Sequence, residues 1–264
     1  MTERKVVVIG AGVMGSGIAQ TLATAGCSVV CTDLSREQLE RAATRVVSGR
    51  YGFDRGVERG KLSEDEAAAA QHRLTFSTDL SAALAGASVV VEAVPEQLAL
   101  KVELFGELGR RADPGTVLAS NTSGFPIAAL AAASGRAPLV LGWHWASPAP
   151  VQRLAEIAVT PVTDASAIAV VTDLARACGK NPVVVRENPQ VWGFVANRVL
   201  MAALREARTI VDEGLASRAD VDALLRDAYG WPAGLFAMME GAAEGWGDGG
   251  DSSIRHTMAS PTGS

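Results

Sequence analysis

The sequence predicts an α/β protein with a mostly parallel sheet, followed by a smaller domain made only of helices. Two observations favour this fold. In the first part of the chain, short β-branched segments alternate with longer segments rich in alanine and leucine that have helical spacing. This alternation is typical of a parallel sheet covered by helices on both faces. Beyond about residue 187 the strand pattern disappears and only helical patterns remain.

The strands expected in the sheet are short, apolar and without an alternating polar face, as strands buried on both sides are. We predict them at Lys5–Ile9, Ser28–Thr32, Ser88–Glu92, Thr116–Ala119, Leu139–Gly142 and Pro182–Arg186. Helices are predicted between them, for example at Gly15–Ala25 and Glu96–Arg110. These elements define a first domain over residues 1–186.

The second domain is predicted to span residues 187–264, after a linker-like segment with the sequence Glu187-Asn188-Pro189-Gln190. Its helices are expected at Gly193–Asp212, Arg218–Asp227 and Leu235–Ala242. From about residue 245 the chain is rich in glycine, serine and aspartate, which indicates an irregular tail. A helical piece this small cannot bury its own apolar face, so we expect a homodimer formed through the C-terminal helices.

Composition and charge exclude several classes of function. The chain has 264 residues and a net charge of −5, so it lacks the basic surface of a nucleic-acid-binding protein. No apolar run reaches the ~18 residues of a membrane span, and the N-terminus lacks a signal-peptide pattern. The three cysteines have no metal-ligand spacing. We therefore expect a cytoplasmic protein with no metal site and with neither nucleic acid nor membrane as a partner.

The first strand runs into a glycine-rich turn of the form G-x-G-x-x-G, which is followed directly by a helix. The predicted cofactor-binding positions of this turn are Gly10, Gly12, Val13, Met14 and Gly15. Gly10 permits the tight turn, Gly12 lets the backbone approach a pyrophosphate, and Gly15 lets the helix pack closely on the sheet. The helix N-terminus offers free amides and a positive dipole end to the phosphates. The context predicts a Rossmann-type dinucleotide site.

The second strand ends at Asp33, near the spacing expected for an acid that binds the ribose hydroxyls. A carboxylate there repels a 2′-phosphate, so NAD is favoured over NADP, although Arg36 lies nearby. In the alternative interpretation the glycines serve only a tight turn and Asp33 is solvated.

Of the three histidines, His72 lies in a polar stretch and His256 in the tail, whereas His144 follows an apolar strand. Glu156 comes twelve residues later inside an otherwise apolar run. Burying a carboxylate is costly unless it is paired. We therefore expect His144 and Glu156 to meet in the fold, with Trp143 and Trp145 on the opposite strand face as core residues.

Five blocks of the sequence, in this order and approximate spacing, resemble the L-3-hydroxyacyl-CoA dehydrogenase family. They are Gly10–Gly17, Val91–Glu96, Ser120–Ser123, Gly142–Pro150 with Glu156, and Gly193–Arg198. The resemblance extends from residue 4 to about residue 240 and implies an NAD-dependent oxidoreductase acting on a 3-hydroxyacyl-CoA or a carrier-bound equivalent.

The resemblance also implies roles for individual side chains. His144 would be the general base that takes the proton of the substrate hydroxyl, and Glu156 would fix its tautomer and favour its charged form. Ser123 would bond to the reacting oxygen, and Asn197 would position the substrate or His144. Glu96 and Lys101 would line the nicotinamide-ribose side of the site.

Each of these positions has a structural alternative. Ser120–Ser123 could be a cluster that caps the helix starting at Ile127. Asn197 could make an interdomain hydrogen bond, Glu96 and Lys101 could be solvated helix residues, and His144 with Glu156 could be a purely structural pair.

Two residues depart from the family pattern. Ser147 stands where the family usually has asparagine, and Gly52 stands where it tends to show an asparagine or serine that contacts CoA. The block Tyr229–Phe236 resembles a family element, but its long helical continuation is absent and the C-terminal domain is shortened.

These departures keep two further interpretations open besides the 3-hydroxyacyl-CoA dehydrogenase. A relative with the same site could act on carnitine, a sugar acid or a hydroxymethyl-pyridine carboxylate. A non-enzymatic NAD-binding protein is a third possibility. The 6-phosphogluconate type of dehydrogenase is disfavoured because it needs a catalytic lysine in the helical domain, and no lysine follows Lys180.

Overall fold

The computed structural model describes residues 4–245, and side chains up to residue 240. The contacts within the chain separate two compact units, Met1–Trp192 and Gly193–Ser264. The tail predicted beyond about residue 245, with His256, lies outside the described residues. Within the described part of the chain, none of the helices combines the length and the apolar character of a membrane span.

The first unit is built on an eight-stranded sheet whose strand order is β3-β2-β1-β4-β5-β6-β7-β8. Strands β1–β6 are parallel, β7 is antiparallel to β6, and β8 is parallel to β7. The strands are β1 (Lys5–Ile9), β2 (Ser28–Thr32), β3 (Leu74–Ser77), β4 (Val89–Glu92), β5 (Val117–Ser120), β6 (Val140–Trp145), β7 (Leu154–Val159) and β8 (Asn181–Arg186).

Within residues 4–192, eight helices connect these strands, together with one 3₁₀ turn at Ala137–Leu139. The helices are α1 (Val13–Thr24), α2 (Arg36–Ser48), α3 (Phe53–Glu58), α4 (Glu64–His72), α5 (Leu80–Leu84), α6 (Leu98–Arg111), α7 (Ile127–Ser134) and α8 (Ala165–Ala177). The central strands are covered on both faces, since Val6, Val7 and Val8 of β1 are all 0% exposed. The predicted Rossmann-type sheet is therefore confirmed.

The observed strands agree with the prediction at six places, and two strands were not predicted. β3 pairs only with β2 at the edge of the sheet and has one buried residue, so its sequence carries little strand signal. The apolar run that forms β7 contains Glu156. In the sequence, Glu156 was interpreted as a site residue, and no strand was predicted around it. β6 continues three residues past the predicted end, through His144 to Trp145.

In its described part, residues 193–245, the second unit contains three helices, α9 (Val195–Asp212), α10 (Arg218–Tyr229) and α11 (Leu235–Gly245). All three were predicted, with shifts of up to three residues at their ends. Their apolar side chains form one small core around Leu204, Ala207, Val221, Leu235 and Phe236.

A buried carboxylate fixes the start of the last helix in this unit. Asp222 of α10 accepts hydrogen bonds from the backbone amides of Phe236 and Ala237 at 2.9 Å each. Gly234 is required just before this turn, because a β-carbon there would lie 2.1 Å from the Asp222 carboxyl carbon. The first turn of a helix leaves amides unpaired, and Asp222 satisfies two of them.

Candidate active site

His144 and Glu156 lie directly opposite each other in the antiparallel register of β6 and β7. His144 Nδ1 is 2.7 Å from Glu156 Oε2, and the residues are only 5% and 3% exposed. A carboxylate in this position keeps a proton on Nδ1, so acid–base chemistry falls to Nε2. The structure brings together the two residues that the sequence singled out.

The neighbours of His144 on β6 form the core, as expected. Trp143 and Trp145 are 0% and 2% exposed, and their ring centroids are 5.0 Å apart. The two tryptophans thus anchor the strand from the face opposite His144. Because strand side chains alternate between faces, this anchoring fixes the direction in which the imidazole points.

The loop that joins the His144 strand to the Glu156 strand is held by a buried lysine. Lys180 Nζ donates to the carbonyl oxygens of Ala149 and Gln152, at 2.5 and 2.6 Å, and lies 4.8 Å from the Trp145 ring centroid. Burial lowers the pKa of this ammonium group. Sequence reasoning missed Lys180, since nothing in its local pattern distinguishes it from a solvated lysine.

A second buried ionic cluster lies at the carboxyl end of β4, where Glu92 is completely buried. Glu92 Oε1 accepts from Lys101 Nζ at 2.6 Å and from the Val94 amide at 2.8 Å, while Oε2 accepts from Ser120 Oγ at 2.5 Å. Lys101 Nζ also lies 3.2 Å from Glu96 Oε2. Burial raises the pKa of Glu92, and the adjacent Lys101 ammonium opposes that shift.

This cluster decides between the two interpretations of Glu96 and Lys101. Lys101 is 1% exposed and the Glu96 side chain 15% exposed, so the solvated-helix alternative is wrong. The sequence analysis named Glu92 only as part of the block Val91–Glu96 and gave it no role. Its signal was the same as that of Glu156, an acidic residue within an apolar run.

The segment Ser120–Ser123 is bound to Glu96 rather than to a helix terminus. Glu96 Oε1 accepts from Thr122 Oγ1 at 2.6 Å and from the Ser123 amide at 2.8 Å. Asn121 Oδ1 accepts from the Trp145 amide at 3.0 Å, which ties this segment to the end of β6, next to His144.

The capping interpretation of Ser120–Ser123 is wrong for a specific reason. α7 begins at Ile127, and its N-cap, Pro126, offers no side-chain bond. The amides of Ile127 and Ala128 instead donate to the Glu187 carboxylate, at 2.6 and 2.9 Å. Glu187 is the first residue after the predicted domain boundary, and this contact places it within the first unit.

The glycine-rich turn has the geometry that a dinucleotide requires. Gly10 has a φ of +101°, and a β-carbon there would lie 2.6 Å from the Ala93 carbonyl oxygen. A β-carbon on Gly15 would lie 1.7 Å from the Gly10 carbonyl oxygen. In contrast, a β-carbon on Gly12 would meet nothing within 4 Å, and Gly12 caps α1 without a side-chain bond.

The first turn of α1, from Val13 through Met14 to Gly15, therefore borders a space into which a phosphate can come close. Gly10 and Gly15 are required by packing within the protein, whereas the open side of Gly12 is what a bound pyrophosphate needs. The residues present thus fit NAD.

Asp33 is fixed against the glycine turn rather than freely solvated. Its Oδ2 accepts from the Ala11 amide at 2.8 Å, and its Oδ1 accepts from the Ser35 amide at 2.9 Å. The carboxylate therefore lies at the end of β2 beside the turn, which is where an acid binding the ribose hydroxyls has to be.

The residues described above lie at one edge of the sheet, the edge formed by the carboxyl ends of the parallel strands. β1, β4, β5 and β6 are parallel, so their carboxyl ends meet at one edge, and the strand order reverses between β1 and β4. Ligands of open α/β sheets bind outside the carboxyl ends at such a reversal. The glycine turn, Glu92, Ser123 and His144 all follow or end strands at this edge.

The positions of three other residues named in the sequence analysis do not by themselves assign a role to them. Asn197 lies half-buried in the first turn of α9, in the second unit. Ser147 precedes a cis proline in the loop after β6. Gly52 caps α3, and a β-carbon there would lie 2.5 Å from the Val47 carbonyl oxygen, so this backbone leaves no room for an asparagine or a serine.

Comparisons with known proteins agree with this geometry. The family model described as "3-hydroxyacyl-CoA dehydrogenase, NAD binding domain" matches residues 5–188, and the model for the C-terminal domain of the same family matches residues 193–260. A probable 3-hydroxybutyryl-CoA dehydrogenase of Bacillus subtilis is 37% identical over 240 residues, covering 91% of this chain and 81% of the relative.

Two solved structures extend the comparison. The (S)-3-hydroxybutyryl-CoA dehydrogenase of Ralstonia eutropha has a TM-score of 0.84 at 32% identity and covers 98% of this chain and 93% of its own. An NAD-dependent 5-formyl-3-hydroxy-2-methylpyridine 4-carboxylic acid 5-dehydrogenase has a TM-score of 0.76 at 31% identity. The match covers 87% of this chain and 72% of that structure.

Proposed function

This chain belongs to the 3-hydroxyacyl-CoA dehydrogenase family, and we propose that it oxidises a 3-hydroxyacyl-CoA to the 3-oxoacyl-CoA with NAD, or catalyses the reverse. The observation that carries the proposal is the buried His144–Glu156 pair, with its 2.7 Å contact, at the edge of the sheet where the glycine turn lies. A base braced by a carboxylate beside a dinucleotide site is what alcohol oxidation requires.

NAD is the cofactor of the proposed reaction, and when bound it supplies the acceptor for the hydride that leaves the substrate carbon. We assign Gly10, Gly12, Val13, Met14 and Gly15 to the pyrophosphate and Asp33 to the ribose hydroxyls. The carboxylate of Asp33 disfavours a 2′-phosphate by charge repulsion.

In this proposal His144 takes the proton of the substrate hydroxyl while the C–H bond gives up its hydride. In the reverse direction the imidazolium returns that proton to the forming alkoxide. Glu156 holds the Nδ1 proton and stabilises the imidazolium by its charge. Ser123 bonds to the reacting oxygen.

Glu96 and Lys101 take the nicotinamide-ribose side of the site. Glu96 already holds the Ser123 amide, so one side chain connects the cofactor side of the site to the substrate side. A residue that bonds to both sides can hold the two reactants in register, which is the main contribution of the protein when the cofactor carries the chemistry.

A cavity of about 390 Å³ supports a CoA thioester as the substrate. Its lining includes Tyr51, Arg55, Arg59 and Lys61, and also Pro150 and Val151 of the loop that follows His144. The phosphates of CoA carry several negative charges, which cationic side chains favour. The cavity offers these cationic side chains near the loop that follows β6, the strand that carries His144.

A second candidate keeps the same site with a non-thioester alcohol or hydroxy acid as the substrate. Gly52 lacks the side chain that contacts CoA in the family pattern, and the pyridine-carboxylate dehydrogenase described above shares the fold at 31% identity. Carnitine and sugar acids belong to the same class. An NAD-binding protein without catalysis is the third candidate.

We also propose a homodimer that forms through the C-terminal helices and a cytoplasmic location. Val195, Val199 and Leu224 are 54%, 66% and 64% exposed, which leaves apolar surface on α9 and α10 for a second copy. Cys27, Cys31 and Cys178 are all free thiols, as is usual in a reducing compartment. Light scattering at micromolar concentration tests the dimer, and a mass of 27.3 kDa would contradict it.

The experiment that tests the function is a substrate panel followed by NADH absorbance. The panel contains 3-hydroxybutyryl-CoA, free 3-hydroxybutyrate, carnitine, gulonate and an aromatic primary alcohol. The proposal predicts a strong preference for the thioester in kcat/KM. Preference for a non-thioester selects the second candidate, and NADH binding without turnover on any of the compounds selects the third.

A further inference from the structure

Glu92 is a buried carboxylate, and the proposed reaction does not assign a role to it. It is 0% exposed at the end of β4, in register with Ile9 of β1 on one side and with Ser120 of β5 on the other. Placing a carboxylate at the centre of a sheet is costly, and an apolar residue of similar size would avoid that cost. The position of Glu92 therefore calls for an explanation beyond stability.

The hydrogen bonds of Glu92 join three separate segments. One oxygen accepts from the Val94 amide and from Lys101 Nζ of α6, and the other accepts from Ser120 Oγ at the end of β5. A single carboxylate thus connects the segment after β4, the helix α6 and the segment after β5.

The contacts continue from Lys101 toward the proposed substrate site. Besides Glu92, Lys101 Nζ contacts the Val94 carbonyl oxygen and Glu96 Oε2, both at 3.2 Å. Glu96 Oε1 in turn accepts from the Ser123 amide at 2.8 Å. A continuous path of charged contacts therefore runs from Glu92 through Lys101 and Glu96 to Ser123.

We propose that Glu92 is a positioning residue that holds Lys101, and through it Glu96 and the Ser120–Ser123 segment, in the arrangement needed for hydride transfer. This inference rests on the proposed function. Glu92 acts through Lys101, and its own side chain is 0% exposed.

The test compares E92Q, K101M and the double variant E92Q/K101M. Glutamine has the shape of glutamate. Its amide oxygen can accept from the Val94 amide and Lys101, and its amide nitrogen can donate to Ser120 Oγ, so E92Q removes the charge and reverses one hydrogen bond. The matched control is E107Q, the same change at the surface ion pair between Glu107 and Arg111 of the same helix.

We expect E92Q to lower kcat by about tenfold or more, since a small misplacement of reacting groups costs up to about 10²-fold. E107Q should stay within about twofold of the unmodified protein, as expected for a surface ion pair. Because Glu92 acts through Lys101, the double variant should have the kcat of K101M within about twofold.

The same variants separate positioning from a merely structural role. A structural role predicts a lower melting temperature with kcat per NADH-binding site unchanged, and that result would overturn the proposal. Effects of E92Q and K101M that multiply in the double variant would overturn it too. If E92Q does not fold, the charge-neutral double variant and K101M still decide, since a further tenfold loss in the double variant contradicts the proposed path.

NADH affinity gives a readout that does not depend on the substrate. Removing the Glu92 charge weakens the hold on Lys101 and Glu96, the residues assigned to the nicotinamide-ribose side, so the Kd for NADH should rise by about threefold or more in E92Q. Absence of turnover in the unmodified protein would refute the proposed function alone. An unchanged Kd together with an unchanged kcat in E92Q would refute the role of Glu92.

Discussion

The Glu156 carboxylate lies 2.7 Å from His144 Nδ1 because β6 and β7 are antiparallel neighbours that place the two residues directly opposite each other. The register of a strand pair fixes both residues at once, since a slip of one residue would move each to the other face of the sheet. The orientation of the proposed base is therefore a property of the sheet and does not depend on a mobile loop.

Replacing Glu156 with glutamine tests that relationship. The amide can donate to Nδ1, which forces the proton onto Nε2 and blocks its action as a base, as with triads that lose their carboxylate. We expect kcat to fall by about 10²- to 10⁴-fold, since the wrong tautomer costs a triad about 10⁴-fold.

E103Q, the same change at an exposed position on α6, serves as the control. A full rate in E156Q would remove Glu156 from the mechanism.

Replacing Glu187 with alanine tests how α7 begins. The variant removes the acceptor of the Ile127 and Ala128 amides, and losing an N-terminal acceptor typically costs about 1 kcal/mol of stability. Asp164→Ala is the matched control, because Asp164 is the N-cap of α8 but makes no side-chain capping bond. Urea denaturation should show a loss for Glu187→Ala only, and equal losses in the two variants would argue against the assignment.

The cysteines should be unreactive in the folded protein at neutral pH. Burial raises the pKa of Cys31 and of Cys178 to about 12, and it also raises that of Cys27. A raised pKa keeps a thiol protonated, and the thiolate is the reactive form. Cys178 lines the cavity beside α3, so a reagent can reach it. Low reactivity of Cys178 would therefore report its raised pKa and not a lack of access.

Iodoacetamide labelling followed by mass spectrometry checks this prediction. Labelling of Cys178 should rise by about tenfold per pH unit between pH 8 and 10, in proportion to the thiolate fraction. In denaturant all three cysteines should react rapidly. Fast labelling of the folded protein at pH 7 would contradict the raised pKa values.

Removing the cationic side chains of the cavity tests the thioester proposal. The double variant Arg59→Ala/Lys61→Ala should raise KM for 3-hydroxybutyryl-CoA by about tenfold, at about 0.5–1.5 kcal/mol for each lost contact. KM for the N-acetylcysteamine thioester, which lacks the phosphates, should not change. Arg176→Ala, at an exposed ion pair with Asp173, is the control. Equal losses on both substrates would exclude a phosphate-binding role for the cavity.

Several parts of this fold and site could be predicted from the sequence because their signals are local. The strand, glycine turn and helix at the start of the chain occupy consecutive residues, so the pattern and its geometry coincide. The His144–Glu156 contact could be expected although it joins two strands, because an acid in an apolar run is stable only with a partner.

Other parts could not be predicted, because they depend on contacts between distant segments. Glu187 caps a helix that begins 60 residues earlier in the chain, and Lys180 binds carbonyl groups 28 and 31 residues away. The local sequence around Lys180 or Glu187 does not indicate a contact with a distant segment. The capping interpretation of Ser120–Ser123 was wrong for the same reason, since the competing acceptor belongs to a segment that looks like a linker.

The most direct test of the central claim is the variant His144→Ala, measured for turnover of 3-hydroxybutyryl-CoA and for NADH affinity side by side. A general base contributes about 10²- to 10⁴-fold to the rate, so kcat should fall by at least that range. The Kd for NADH should stay within about twofold, because the cofactor is held mainly by the glycine turn and Asp33. Substantial turnover in His144→Ala would contradict the account, and so would a loss of NADH binding that parallels the loss of rate.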